Sequence, residues 1–105
     1  MTTEEIAIAY DRLAEKRRAL CAAAIIEATA KFNLDAQEAA ALLDGRITSK
    51  NPEKRKAMAT RMFAEERKNL LAAEQDSRIT QMDYDIAEAK VKSLELQLRR
   101  MEWAK

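Results

Sequence analysis

The stretch LLDGRITSKNPEKRKAM, residues 42–58, holds the only glycine and the only proline of the 105-residue chain. Gly45 can take the left-handed backbone conformation that commonly ends a helix. Asn51 before Pro52 matches a helix N-cap followed by proline at the first helical position. Proline also keeps the preceding residue out of the helical region of backbone space. The stretch therefore predicts one turn, a connector over residues 45–51, between two helices.

Composition predicts helix on both sides of this connector. Charged residues make up 35% of the chain and aromatic residues 5%, and a sequence dominated by Ala, Glu, Lys, Arg and Leu is typical of long helices and coiled coils. Thr2 or Thr3 is expected to cap a first helical arm over residues 3–44. Asp35 with Glu38 resembles a capping box, which leaves open whether this arm breaks near residues 33–35 or runs on.

The second arm is predicted to be one long helix over residues 52–104, because no glycine or proline follows Pro52. Its weakest segment is expected at residues 75–80, where poor helix formers cluster. A short connector favours antiparallel helices. The expected fold is therefore all-α, a single helical hairpin domain over residues 1–105 with one very long, coiled-coil-like C-terminal helix.

The register of this hairpin can be predicted from the connector. If residue 44 lies opposite residue 52, the numbers of paired residues add up to roughly 96, assuming equal rise in both arms. Apolar residues then meet at each level: Phe32 lies by Phe63 and Ala64, Ile25 and Ile26 by Leu71 and Leu70, Leu13 by Met82, and Tyr10 by Ile86. Cys21 follows the same apolar pattern, so we expect this lone cysteine to be a small buried residue.

The last third of the chain has heptad spacing, which is typical of a seam between helices. In the predicted register the first arm ends near residue 93, so the end of the seam has no partner within the chain. We therefore expect a homo-oligomer, most simply a homodimer forming a four-helix bundle; the alternative is a frayed tail. The predicted oligomer seam comprises Tyr84, Val91, Leu94, Leu98, Met101 and Trp103.

Most catalytic and metal-binding templates are missing from the sequence. It has no histidine, one cysteine and no glycine-rich loop, so we expect no catalytic residues, no metal and no cofactor. Arg46 and Lys50 stand in the connector where a calcium loop needs acidic ligands. Asp83 and Asp85 are two residues apart and diverge on a helix. We therefore expect a protein that is not an enzyme.

Basic residues are concentrated around the turn. Residues 46–71 contain eight basic and three acidic side chains, a net charge of +5. Lys54, Arg61 and Lys68 are seven residues apart and are expected to line one helix face. Such a surface can bind nucleic-acid phosphates, although the chain is nearly neutral overall and no aromatic residue is interleaved for base stacking. The candidate nucleic-acid contacts are Arg46, Lys50, Lys54, Arg55, Arg61 and Lys68.

The segment GRITSKNPEKRKA and the charged helix after it resemble a group of small helical proteins encoded in bacteriophages and prophages. The resemblance covers residues 38–102 approximately. It rests on a basic Gly–Ile–Lys–Asn connector followed by an arginine, here Gly45, Ile47, Lys50, Asn51 and Arg55. Pro52 departs from the group, in which a helix former is commoner at this position. The resemblance implies a setting in DNA metabolism without a defined activity.

The first residues, MTTEEIAIAY, lack the basic and apolar regions of a signal peptide. The longest apolar run, residues 19–26, is too short to span a membrane. We therefore expect a cytoplasmic protein, in a bacterial host cell if its origin is a phage. The favoured function is that of a structural or adaptor protein that associates through helices with itself or another helical protein. The alternative is a nucleic-acid-binding accessory factor that uses the basic tip, residues 46–68.

Overall fold

A computed structural model of the protein describes residues 2–48 and 50–103. It contains three helices: α1 spans Thr3–Leu43, α2 spans Pro52–Met62 and α3 spans Ala64–Trp103. The predicted all-α helical hairpin with a very long C-terminal helix is confirmed. Ser49 of the predicted connector and the predicted helix end at residue 104 lie outside the described residues.

Local caps fix the start of α1 and both ends of the predicted connector. The Thr2 hydroxyl accepts a hydrogen bond from the backbone N–H of Glu5 at 3.1 Å and caps α1. Gly45, just beyond the end of α1, has φ +81°, the left-handed conformation that glycine adopts without strain. Asn51 has φ −80° and ψ 120°, and its side chain accepts a hydrogen bond from the Glu53 N–H. The predicted N-cap is confirmed, because this bond satisfies a donor that the helix cannot satisfy itself.

The first arm is one uninterrupted helix, so the break considered near residues 33–35 does not occur. Leu34 is buried in a cluster with Ala41, Ile47 and Phe63. That packing holds Asp35 inside the helix, where its side chain cannot act as an N-cap. The capping-box pattern was therefore a local signal that tertiary packing overrides.

The second arm is interrupted at Phe63, contrary to the single helix predicted over residues 52–104. Phe63 has φ −113° and ψ 32°, outside the helical region, and separates α2 from α3. The hydrogen bonds on both sides persist: the Phe63 N–H donates to the Ala59 carbonyl at 3.0 Å, and the Arg67 N–H donates to the Phe63 carbonyl at 2.9 Å. The predicted weak segment, residues 75–80, is helical throughout.

The chain divides into two compact units. The first unit comprises Met1–Ala23 with Ser77–Lys105, and the second comprises Ala24–Asp76. Each unit has its own core. The core of the first unit contains Ala9, Val91 and Leu94, with Leu13 packed against it. The core of the second unit contains Leu34, Ala41, Ile47, Ala59 and Phe63, with Met58 and Leu70 packed against it.

In the first unit α1 and α3 are antiparallel, but their register differs from the prediction. The Tyr10 hydroxyl donates a hydrogen bond to Glu95 at 2.5 Å, and Ser77 Oγ donates to the carbonyl of Ala23 at 3.2 Å. The predicted register places Tyr10 opposite Ile86 and Ala23 opposite Ala73. The observed partners, Glu95 and Ser77, therefore lie nine and four positions further along α3. Ile86 and Met82 are exposed, so their predicted pairing with Tyr10 and Leu13 is wrong. The prediction assumed an uninterrupted helix from Pro52, and Phe63 breaks that helix.

In the second unit several residues predicted to form the core are exposed. Phe32, Ile25 and Ile26 lie on the surface of α1, and Leu71 lies on the surface of α3. The buried residues of α1 in this unit, Leu34 and Ala41, lie on another face of the helix. In the first unit, Cys21 is likewise exposed, because its neighbour Ala23 occupies the buried phase instead. The predicted burial of Cys21 is wrong for this reason.

Candidate interaction surfaces

Small side chains mediate much of the packing between the helices. Among the described residues, no large side chain is fully buried. Alanine allows two helices to approach closely, but it removes little apolar area from water and therefore contributes little to stability. The buried alanines are Ala9, Ala23, Ala41, Ala59 and Ala87.

A polar network lines one edge of the first unit. Arg17 Nη2 donates a hydrogen bond to the Tyr84 hydroxyl at 3.2 Å, and its guanidinium carbon lies 5.8 Å from the centre of the Tyr84 ring. The Tyr84 hydroxyl donates to Glu88 at 3.0 Å, and Lys92 Nζ donates to the same carboxylate at 3.2 Å. These donors from Lys92 and Tyr84 lower the pKa of Glu88. The hydrogen bond to Glu95 raises the pKa of Tyr10.

The predicted oligomer seam is divided between the interior and the surface. Val91 and Leu94 are buried against Ala9, so the prediction that Leu94 has no partner within the chain is wrong. Tyr84 is half-buried in the polar network. The actual register carries α1 further along α3 than predicted. Only the end of the seam stays on the surface: Leu98, Met101 and Trp103, which is 85% exposed.

A second apolar stripe lies on α3, and the sequence analysis missed it. Ile79, Met82 and Ile86 are 57%, 62% and 67% exposed. Their spacing of three and four residues places them on one helix face. The buried residues Ala87 and Val91 belong to another face. The spacing was visible in the sequence, but the predicted register assigned Met82 and Ile86 to contacts within the chain.

Two adjoining grooves run between α1 and α3 in the first unit. One has a volume of about 210 Å³ and is lined by Glu5, Ile8, Ala9, Arg12, Ala87, Lys90 and Leu94. The other shares Arg12, Ala87 and Lys90 with it and adds Ile86 and Asp83 from α3. The walls are therefore apolar at the base and charged along the rims, which is the character of a surface that accepts a helix.

The second unit also leaves apolar side chains in water. Ile25, Phe32 and Leu43 of α1 are 66%, 72% and 90% exposed. Their separations of seven and eleven residues keep them close to one face of the helix. Single exposed apolar side chains are common on folded proteins, whereas a repeated series on one face indicates contact with another molecule.

The candidate nucleic-acid contacts all belong to the second unit, yet the structure does not unite them on one face. The Arg46 guanidinium contacts Asp44 at 2.8 Å, so its charge is partly neutralised, and this contact lowers the pKa of Asp44. Lys54 and Arg61 lie on α2, whereas Lys68 lies on α3 beyond the break at Phe63. The predicted continuous face is therefore interrupted. The side chains of the other candidates are exposed: Lys50, Lys54, Arg55, Arg61 and Lys68.

A groove beside α2 brings together basic residues that the sequence analysis did not connect. Its volume is about 310 Å³, and its cationic lining consists of Arg55, Lys56 and Arg67. Arg67 forms an ion pair with Glu38 of α1. Its Nε is buried and has no hydrogen-bond acceptor among the described residues. The groove can accept an anionic group, although Glu38 reduces its positive charge.

Within the described part of the chain, no helix is both long enough and apolar enough to cross a bilayer. Across residues 2–48 and 50–103, no three histidine, cysteine or acidic side chains come together as metal ligands would. No family model, curated protein or solved structure matches this chain.

Proposed function

We propose that this protein is a non-enzymatic structural or adaptor protein that acts through helix–helix association, in the first place with copies of itself. The observation that carries the proposal is the distribution of side-chain size: alanines fill much of the core, while residues such as Phe32, Ile86 and Trp103 face water. Burial of one large apolar side chain contributes about 1.5–3 kcal/mol. Association with another helix recovers this free energy.

The thin core supports the same proposal. A small helical scaffold with little buried apolar surface usually needs oligomerisation, a metal or disulfides for stability. The single cysteine cannot form a disulfide within the chain. Association is a source of stability that the exposed apolar residues can supply, and a homo-oligomer requires no other gene product. The resemblance to small phage and prophage proteins supports a role in a bacterial cytoplasm.

Light scattering coupled to size-exclusion chromatography tests this proposal directly. The chain has a mass of 11.9 kDa, and the proposal requires a species of at least twice that mass at micromolar concentration. A monomeric mass at every accessible concentration would refute self-association. A pull-down from a bacterial host would then test the adaptor role with another helical protein.

Nucleic-acid binding is the second candidate function. It is favoured by the groove lined by Arg55, Lys56 and Arg67, and the exposed Lys50 and Lys54 add positive charge elsewhere on the same unit. Basic side chains that contact phosphates release counterions, so the affinity of such a complex must fall steeply with salt. The ion pairs of Arg46 with Asp44 and of Arg67 with Glu38 weaken this candidate.

A further inference from the structure

The apolar stripe formed by Ile79, Met82 and Ile86 is the most regular uncovered face in the first unit. Each of these side chains is more than half exposed. In heptad notation Ile79 and Ile86 occupy a positions, and Met82 occupies the d position between them. Ala89 continues the pattern at the next d position. The buried residues Val91 and Leu94 lie on another face, so the stripe is free for a second helix.

Charged residues of both signs flank this stripe. Arg78 and Asp85 occupy g positions on one side, and Asp83 and Lys90 occupy e positions on the other. Arg78, Asp85 and Lys90 are exposed, and Asp83 is half-buried at the rim of the groove between α1 and α3. Each flank carries one acidic and one basic residue. The stripe is therefore complementary to itself.

The accessible surface is large enough for such an interface. The chain exposes 8130 Å², whereas a folded monomer of this mass usually exposes about 6000 Å². The excess is about 2000 Å², and a stable protein–protein interface needs about 800 Å² from each partner. The surface that the chain exposes in excess of a typical monomer is therefore larger than the area that one partner contributes to such an interface.

We propose that the stripe of Ile79, Met82 and Ile86 packs against the same stripe of a second copy of this chain, with the two α3 helices parallel. This inference rests on the proposed self-association and identifies the surface that mediates it. Ile79 and Ile86 then meet their own counterparts, and β-branched residues at a positions favour two-stranded parallel packing. Arg78 lies beside Asp83 of the second copy, and Asp85 lies beside its Lys90.

An antiparallel alignment of the same stripe is less favourable. The register that sets Asp83 against Lys90 of the second copy also sets Asp85 against its Lys92. It brings Arg78 against its Arg99, however, and places Met82 across from a polar residue, Ser93. In that register Ile86 lies across from Ala89 and leaves part of its surface uncovered. The parallel alignment avoids the repulsion between arginines and pairs the larger side chains with each other.

The substitution Ile86→Glu tests the stripe. Because Ile86 is mostly exposed, the change leaves the core of the chain intact, and the new carboxylate can pair with Lys90 one turn later in the helix. Two carboxylates facing each other at the a position would separate the copies, so the measured mass should fall from that of a dimer to 11.9 kDa. Ile26→Glu is the matched control, because Ile26 is 58% exposed and lies outside both the stripe and the exposed series of Ile25, Phe32 and Leu43.

Disulfide trapping tests the parallel alignment. In a Cys21→Ser background, Met82→Cys places two thiols at facing d positions, within the short Cα separation that a disulfide requires. Mild oxidation should give a covalent dimer. Gln81→Cys is the control, because Gln81 is exposed and points away from the stripe. Equal cross-linking of both variants, or none at Met82→Cys, would overturn the parallel alignment.

The outcomes also separate this inference from the proposed function. A monomeric wild type would refute both. A dimeric wild type that is unaffected by Ile86→Glu would overturn the stripe and leave self-association standing. Dissociation by Ile86→Glu but not by Ile26→Glu, with unchanged helical circular dichroism, supports the stripe as the interface.

Discussion

Phe63, the single non-helical residue between α2 and α3, is buried in the same cluster as Leu34 of α1. The interruption of the second arm thus coincides with the deepest aromatic side chain among the described residues. Turning this one residue out of helical geometry places its ring in the core. The backbone break and the packing of the second unit are therefore parts of one feature.

We expect Phe63→Ala to be strongly destabilising and Phe32→Ala to be nearly neutral. Phe63 is 6% exposed, whereas Phe32 is 72% exposed. Removing a buried phenylalanine side chain typically costs about 3–5 kcal/mol, and surface substitutions usually change stability by at most about 0.5 kcal/mol. Urea unfolding followed by circular dichroism would measure both, with Phe63→Leu as a milder variant that retains the fold. Equal effects of the two alanine variants would contradict the assigned core.

The contrast between these two phenylalanines shows which features of the fold could be predicted from the sequence and which could not. Helix content and the turn at Gly45 and Asn51 follow from local residue preferences, and they were correct. The register depends on contacts between distant residues, and Phe32 and Phe63 fit an apolar pattern equally well. Because the core is built largely from alanines, the buried face of each helix cannot be identified from the positions of the large apolar residues. The stripe at Ile79 was missed for the same reason.

The turn should be sensitive at two positions for different reasons. Asn51→Ala removes the side chain that accepts a hydrogen bond from Glu53, and we expect a cost of about 1 kcal/mol. Gly45→Val should cost more, because a left-handed conformation costs an L-residue about 1–2 kcal/mol and a β-branched residue is the worst case. Apart from Gly45 itself and its two chain neighbours, no atom of the described residues lies within 4 Å of the position that a Cβ at Gly45 would occupy. Gly45→Asn is therefore the control, since asparagine tolerates this conformation; thermal melts that rank it with Gly45→Val would contradict the mechanism.

The stability of the first unit should depend on pH through Glu88. Lys92 and Tyr84 lower its pKa in the folded state, so its stabilising contribution is present above the unfolded value of about 4.3. That contribution is lost as the pH falls through the lower folded-state pKa. Glu88→Gln should be less stable than the wild type at pH 7, and this difference should disappear as the pH falls below the folded-state pKa of Glu88.

Urea midpoints at low salt, measured at several pH values, would check this dependence, since salt screens exposed pairs. Lys92→Met removes the principal cause of the lowered Glu88 pKa. The stability of this variant should therefore also depend less on pH than that of the wild type. A constant difference between the wild type and Glu88→Gln from pH 7 to pH 3 would mean that the network does not couple to protonation.

The second candidate function makes a prediction about the basic residues. Replacing Lys50, Lys54, Arg55 and Arg61 with glutamine should abolish a complex with nucleic acid, and the affinity of the wild-type complex should fall steeply with salt. Fluorescence anisotropy with single- and double-stranded DNA would measure both effects. Arg99→Gln with Arg100→Gln is a control in the first unit, because both side chains are exposed. If the wild type shows no binding near 50 mM salt, this function is excluded.

The exposed end of the predicted oligomer seam allows a test of whether the chain also associates through residues outside the stripe. Leu98, Met101 and Trp103 remain exposed, whereas Val91 and Leu94 are buried within the chain. Deleting everything from residue 93 onward would therefore remove part of the core and confuse stability with assembly. Substituting glutamine for only the three exposed residues keeps Leu94 and a helix-forming sequence.

If these side chains are buried against a partner, the substituted protein should dissociate at concentrations at which the wild type is assembled, and its melting temperature should become less dependent on concentration. Light scattering and thermal melts over a range of concentrations would measure both quantities. Ile26→Gln is the control, because Ile26 is 58% exposed, lies in the other unit and is outside the exposed series on α1. An unchanged mass and melting temperature for the triple variant would show that the end of the seam stays in water, because a buried interface could not lose three large apolar side chains without weakening.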